Sequence, residues 1–136
     1  MLPPPALPLG HVLVVDDDAG VRAVCTTLLR ALGYHAAEAS TGRKAIEALT
    51  LTKHDGVHND GLGVQLVLLD LEMPGMHGGE VLRAVKHAHP RVRVLVMSGK
   101  PGRDLRPFLA HGADGVLQKP FGMSALSDSV GAALRN

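Results

Sequence analysis

The sequence is short of aromatics, cysteine, excess charge and long apolar runs, and each shortage removes a class of function. It has no Trp, one Tyr and two Phe among 136 residues. Platforms for stacking nucleic-acid bases are therefore scarce, and no patch of interleaved basic and aromatic residues marks a nucleic-acid surface. Its single cysteine, Cys25, cannot form an internal disulfide, so nothing calls for an oxidising compartment. Cys25 falls inside an apolar helical pattern and reads as an inert core thiol. Lys and Arg number 14 against 13 Asp and Glu, a formal net charge of +1. Such a balance exerts no global pull on nucleic acid or anionic lipid, so the electrostatics that matter are local. No apolar stretch approaches the ~20 residues of a membrane span. Met1-Leu2-Pro3-Pro4-Pro5 lacks a basic segment, and its prolines interrupt the apolar residues, so it does not read as a signal peptide. The expectation is a cytoplasmic domain with no membrane partner.

What is present is a globular composition, 46% apolar, over a length that suits one domain. Residues 1–10 are Pro-rich and read as a leader or linker, leaving 11–136 as the domain. From there short apolar runs alternate with helical patterns. Val12-Leu13-Val14-Val15 reads as a strand, stopped by Asp16-Asp17-Asp18, with Asp18 expected to cap the next helix. Val21, Val24, Cys25, Leu28 and Leu32 share one helical face, and Gly33 closes that helix. His35 to Ala39 is a weaker strand. Ser40-Thr41-Gly42 opens a helix with Ala45, Ile46 and Leu49 on one side. Val64 to Leu69 and Val92 to Met97 read as strands, with a helix over Gly78 to Ala88 between them. A short helix over Leu105 to His111, a strand over Gly115 to Gln118 and a helix over Ser124 to Leu134 follow. Residues 51–63 are polar and Gly-rich and read as a surface loop. Continuous apolar strands imply a sheet buried on both faces, hence parallel. The fold class is α/β: a five-stranded, doubly wound, flavodoxin-like sheet in the order 2-1-3-4-5, with five helices.

Sites in such sheets lie beyond the carboxyl ends of the strands. There the first strand ends in Asp16 and Asp17, the third in Asp70, the fourth in Ser98 and the fifth in Lys119. In the expected order these strands are neighbours, so the side chains converge. Three close carboxylates repel, and each resists ionisation unless a cation joins them. Lys119 supplies one positive charge. A hard divalent ion with oxygen ligands, Mg²⁺, is the natural complement. An incoming phosphoryl group then meets positive charge on two sides, and Asp70 is placed to attack it and form an aspartyl phosphate.

The motifs Leu13-Val14-Val15-Asp16-Asp17, Leu69-Asp70-Leu71-Glu72-Met73-Pro74-Gly75-Met76, Met97-Ser98-Gly99 and Gln118-Lys119-Pro120-Phe121 resemble those of two-component response-regulator receiver domains, from about His11 to the C-terminus. The resemblance implies that Asp70 accepts the phosphoryl group. It implies that Asp17, Asp70 and the backbone carbonyl of Glu72 bind Mg²⁺, with Asp16 holding the ion through water. Ser98 and Lys119 would contact phosphoryl oxygens, and the Lys119-Pro120 bond would be cis. The donor would be a phosphohistidine on a histidine kinase or phosphotransfer protein. The domain would catalyse only its own phosphorylation and dephosphorylation, in a phosphorelay. An unknown downstream partner is expected on the face of Val116 and the last helix.

Three features depart from the common pattern of that family, the first being a 51–63 loop longer than usual. Glu72 stands where smaller or amide side chains are frequent, and Val116 replaces an aromatic residue that swings inward on activation. A haloacid-dehalogenase-type phosphatase would want an Asp where Glu72 stands, and a cap domain. A flavodoxin-like nucleotide or flavin binder would want a phosphate loop where Asp16-Asp17-Asp18 would repel one. A receiver-like interaction module would not need the full set of site residues. Among the eight histidines, His54 and His58 have a spacing open to a transition metal, but solvated loop polarity is the plainer reading. His87 and His89 are expected on an exposed helix end, and His77 in a turn.

Overall fold

A strand buried on one side alternates polar and apolar residues; the central strands here carry unbroken apolar runs, with polar residues only at their ends, because both of their faces are covered. The computed structural model describes residues 9–54 and 63–135. Among them run β1 (His11–Val15), α1 (Ala19–Ala31), β2 (His35–Ala39), α2 (Gly42–His54), β3 (Leu66–Asp70), α3 (Gly78–Ala88), β4 (Arg93–Ser98), α4 (Arg106–Ala110), β5 (Gly115–Gln118) and α5 (Met123–Arg135). The strands form one parallel sheet in the expected order β2-β1-β3-β4-β5.

Successive side chains of a strand point to opposite faces. Leu13, Val15, Val67, Leu69, Val94 and Val96 enter one core layer with Ala45 and Leu49 of α2 and Val81, Leu82 and Val85 of α3. Val12, Val14, Leu66, Leu68, Leu95 and Met97 enter the other layer with Cys25 and Leu29 of α1 and Leu126 and Val130 of α5. Fully burying one such side chain is worth about 1.5–3 kcal/mol. Cutting it to Ala costs about 2–5 kcal/mol, because a close-packed layer does not collapse around the cavity.

Local chemistry sets the helix ends. The Asp18 carboxylate accepts from the amides of Gly20 at 2.8 Å and Val21 at 3.1 Å, capping α1 as expected. Gly33 ends that helix at φ +103, a left-handed conformation that glycine adopts without Cβ strain. A Cβ on Gly78 would lie 2.9 Å from the Leu71 Cα, so the start of α3 sits directly on the segment leaving β3. The backbone carbonyl of His77 accepts from the amides of Glu80 and Val81, so this residue opens α3 from the preceding turn.

The structure adjusts several expectations. Residues 51–54 belong to α2 rather than to a loop; a polar stretch without Gly or Pro continues a helix as readily as it leaves one. Residues 55–62 of the expected loop, including His58, lie outside the described residues, as do residues 1–8 of the expected leader over 1–10. Leu9 already donates its amide to the Gly33 carbonyl at 2.9 Å. The helix expected over Leu105 to His111 contracts to Arg106–Ala110, with Pro107 in its first turn, where its missing N–H costs nothing. His87 is exposed as expected, but His89 is half-buried, because its backbone turns at the C-cap of α3.

Candidate functional site

The carboxyl ends of β1, β3, β4 and β5 lie side by side, and the chain places a reactive side chain at each. Asp70 is the last residue of β3 and pairs in register with Met97; Ser98 is the last of β4 and pairs with Gln118. Asp16 follows β1 and Lys119 follows β5. Carboxylate oxygens of Asp16, Asp17 and Asp70 lie within 4.8 Å of one another. Asp16 and Asp70 are buried and Asp17 is exposed. The sequence-predicted groups thus come together in one patch.

Lys119 Nζ lies 2.9 Å from Asp16 Oδ2 and 3.2 Å from Asp70 Oδ1. Asp16 Oδ1 accepts from the Asp18 amide at 2.9 Å, and Asp70 Oδ1 from the Glu72 amide at 3.1 Å. Burial pushes the Asp70 carboxyl above its ordinary range; the Glu72 amide opposes this, Asp16 adds to it, and Lys119 opposes it. Burial alone would lower Lys119, but its hydrogen bond to Asp16 and the charges of Asp70 and Asp16 outweigh that and raise it. The two partners shift in senses that look inconsistent, yet one ammonium serves two carboxylates. Lys119 gains from both, whereas Asp70 holds the longer of its two contacts and still faces Asp16.

The Glu72 side chain is turned to the opposite wall. Glu72 Oε2 accepts from Ser98 Oγ at 2.9 Å and from Arg103 Nη1 at 2.6 Å, and Oε1 accepts from the Gly99 amide at 2.7 Å. Burial works to raise this carboxyl, but the Gly99 amide, the Ser98 hydroxyl and the Arg103 guanidinium together hold it below the ordinary range. Arg103 also lies over the Phe108 ring, 5.1 Å from its centroid. Ser98 Oγ in turn accepts from the Lys100 amide at 3.2 Å. Sequence reasoning passed over Arg103 and the Gly99 amide. Arg103 lies in the irregular segment after β4 with no periodicity to mark it; an unpaired acid at Glu72 beside the site was the one usable signal.

Among the described residues, Asp16, Asp17 and Asp70 form the one acidic cluster able to hold a metal ion. Its donors are all carboxylate oxygens, and Lys119 offsets only part of their charge. A hard divalent cation such as Mg²⁺ fits that donor set. The Lys119-Pro120 bond is cis, as expected. Cys25 is buried and its thiol is pushed up to about 11, first by burial and then by Asp16, in keeping with an inert core thiol. Beside Lys119 opens an apolar groove of about 480 Å³, lined by Val21, Val24, Cys25, Pro120 and Phe121.

The chain matches the family model described as "Response regulator receiver domain" over residues 12–131. It is 30% identical to the sporulation initiation phosphotransferase F of Bacillus subtilis over 120 residues, 88% of this chain and 89% of that protein. It is 35% identical to the DNA-binding response regulator MtrA of Mycobacterium tuberculosis over 126 residues, 92% of this chain but 50% of that protein. The chain therefore spans half the length of the latter. The solved chemotaxis protein CheY4 of Vibrio cholerae superposes with a TM-score of 0.77 at 26% identity, covering 92% of this chain and 98% of that one.

Proposed function

The chain belongs to the response-regulator receiver family of two-component systems, and within that family we propose that Asp70 is its phosphoacceptor. The observation that carries this reading is the position of Asp70: buried at the end of the sheet's central strand, within 4.8 Å of two further carboxylates and 3.2 Å from Lys119.

Receiver domains work with histidine kinases or phosphotransfer proteins and bind Mg²⁺ at an acidic Asp cluster. Here Asp17 and Asp70 would hold the ion directly with the Glu72 carbonyl, and Asp16 would act through water. Bound there, Mg²⁺ supplies the positive charge that lets an anionic nucleophile and an anionic phosphoryl group approach. Asp70 attacks phosphorus in line; the P–N bond of the donor phosphohistidine breaks, and its electron pair returns to the imidazole, which leaves as neutral histidine because its other ring nitrogen already carries a proton. Lys119 is placed to exchange its carboxylate contacts for a phosphoryl oxygen, and Ser98 can donate to another once its hydroxyl leaves Glu72.

The domain modifies itself and turns over no external substrate as an enzyme would. The rival phosphatase reading needs a free acid at Glu72, and three donors hold that carboxylate. The apolar groove beside Lys119 suits a protein donor that must bring an imidazole close to Asp70. None of the described helices is long and apolar enough to cross a membrane; in this reading the domain acts in the cytoplasm. The domain itself takes no nucleic acid in this reading.

The test is acetyl phosphate with Mg²⁺, read by intact mass. One phosphoryl adduct is expected on the wild-type chain and none on Asp70→Asn. Equal modification of Asp70→Asn would displace the assignment.

A further inference from the structure

We propose that the Glu72 carboxylate is an internal competitor for the phosphoryl group, held by Arg103 on the same donors that the phosphoryl oxygens need. This rests on the reading of Asp70 as acceptor.

The argument is one of valence. A hydroxyl has one proton to donate, and so does a backbone amide. Ser98 Oγ gives its proton to Glu72 Oε2 at 2.9 Å, and the Gly99 amide gives its own to Glu72 Oε1 at 2.7 Å. One carboxylate therefore commits both donors at the end of β4, each to a different oxygen. Neither can serve a phosphoryl oxygen until Glu72 leaves. Arg103 Nη1, at 2.6 Å from Oε2, adds a charged contact that holds the carboxylate there. Competitor and acceptor are also tied in sequence, since the Glu72 amide donates to Asp70 Oδ1 at 3.1 Å.

Phosphorylation then proceeds with an exchange. The phosphoryl group brings up to about two negative charges and three strong acceptor oxygens, and takes Ser98 and Gly99. Glu72 gives them up, and Arg103 loses its partner. Arg103 lies against Phe108 of α4, so its release reaches α4 without an aromatic residue at Val116. Arg103 acts here through Glu72; it is a positioning residue.

The test measures beryllofluoride binding with Mg²⁺, by calorimetry on the full chain. Glu72→Ala should bind roughly tenfold tighter than wild type, the order of one charge-assisted hydrogen bond no longer displaced. Glu72→Asp keeps the charge and is one methylene shorter, so it should also bind tighter. Arg103→Gln should tighten binding in the wild-type background and lose that effect in Glu72→Ala. By NMR, the Phe108 ring and Arg103 Nε signals should move on beryllofluoride binding in wild type, and should be shifted in free Glu72→Ala already. Wild-type affinity in Glu72→Asp would mean that charge at a distance is the whole effect and would overturn the proposal. So would independent, additive effects of Glu72→Ala and Arg103→Gln. If Asp70→Asn loses binding while every Glu72 variant matches wild type, the competitor falls and the acceptor reading stands. If no variant and no wild-type protein binds, both fall.

Discussion

Lys119 Nζ and Asp16 Oδ2, 103 residues apart in the chain, meet at 2.9 Å across the carboxyl end of the sheet. The same ammonium reaches Asp70, so it stands in for part of the charge that a metal ion would supply. Its side chain is 21% exposed and that of Asp16 1%, so screening by water is limited. Lys119→Met leaves two buried carboxylates without their cation. It should lower stability in chelator by about 3 kcal/mol, measured by urea unfolding. It should also tighten Mg²⁺ binding, because lysine and metal compete for the same oxygens, while phosphorylation is lost. Weaker Mg²⁺ binding in the variant would contradict that competition.

Asp70 carries a related cost. Burial and Asp16 push its carboxyl up, which means that the folded state disfavours its charge. An acid raised in the folded state reduces stability at pH values above its folded pKa. Asp70→Asn should therefore stabilise the metal-free protein at neutral pH, on the order of 1 kcal/mol, while abolishing phosphorylation. Asp17→Asn should weaken Mg²⁺ more than Asp16→Asn, since Asp16 already gives one oxygen to Lys119 and the other to the Asp18 amide. Calorimetric titration orders the variants, and the reverse order would exchange the two roles.

The sheet order and the converging side chains were legible because strands buried on both faces lack alternation and stop at charged residues. Val12 to Val15 before Asp16, and Leu66 to Leu69 before Asp70, carry that signal directly. Glu72 with Arg103 was not legible. The two lie 31 residues apart, and which long side chains meet across an irregular segment depends on how β3 and β4 present their ends. The last turn of α2 was hidden for a different reason: Thr52, Lys53 and His54 are polar, and polarity does not distinguish a solvated helix end from a loop.

His11 gives the stability a dependence on pH. It begins β1 with 8% exposure, and its ring lies 4.7 Å from that of His35, tilted by 38°. Burial, and then the charge of His35, lower its pKa below 6.5. A base lowered in the folded state binds fewer protons folded than unfolded. Stability is thus complete above roughly pH 6.5 and falls as pH drops toward the folded pKa. Urea midpoints between pH 7 and 5 should decline in wild type and decline less in His11→Phe. An identical slope in that variant would assign the dependence to another group.

Asp114 holds the edge of the sheet in place, and through it the site. Its Oδ2 accepts from Lys86 Nζ at 2.7 Å and from the Val94 amide at 2.8 Å, while Lys86 Nζ also donates to the Val92 carbonyl at 2.9 Å. Both side chains are less than one-fifth exposed. These bonds join α3 to the start of β4 and to the turn that leads into β5. That strand has four residues and a neighbour on one side only, so little else fixes it. Asp114→Ala leaves an ammonium without its carboxylate and an amide without its acceptor, and should cost about 3 kcal/mol. Lys86→Met in the Asp114→Ala background should restore part of that loss, because it removes the unpaired charge. The consequence for function follows from register: Gln118 pairs with Ser98, its amide group donates to the Ser98 carbonyl at 2.9 Å, and Lys119 comes next. Loosening β5 frees Lys119 but leaves Asp70 at the end of β3 and Asp17 just past the end of β1. Asp114→Ala should therefore lose hydrogen-exchange protection over residues 115–118 and phosphorylate more slowly, while its Mg²⁺ affinity stays at or above wild type, since a freed Lys119 competes less for the carboxylate oxygens. A fall in Mg²⁺ affinity as large as the fall in rate would mean that the whole carboxyl end of the sheet depends on this bridge, and not β5 alone.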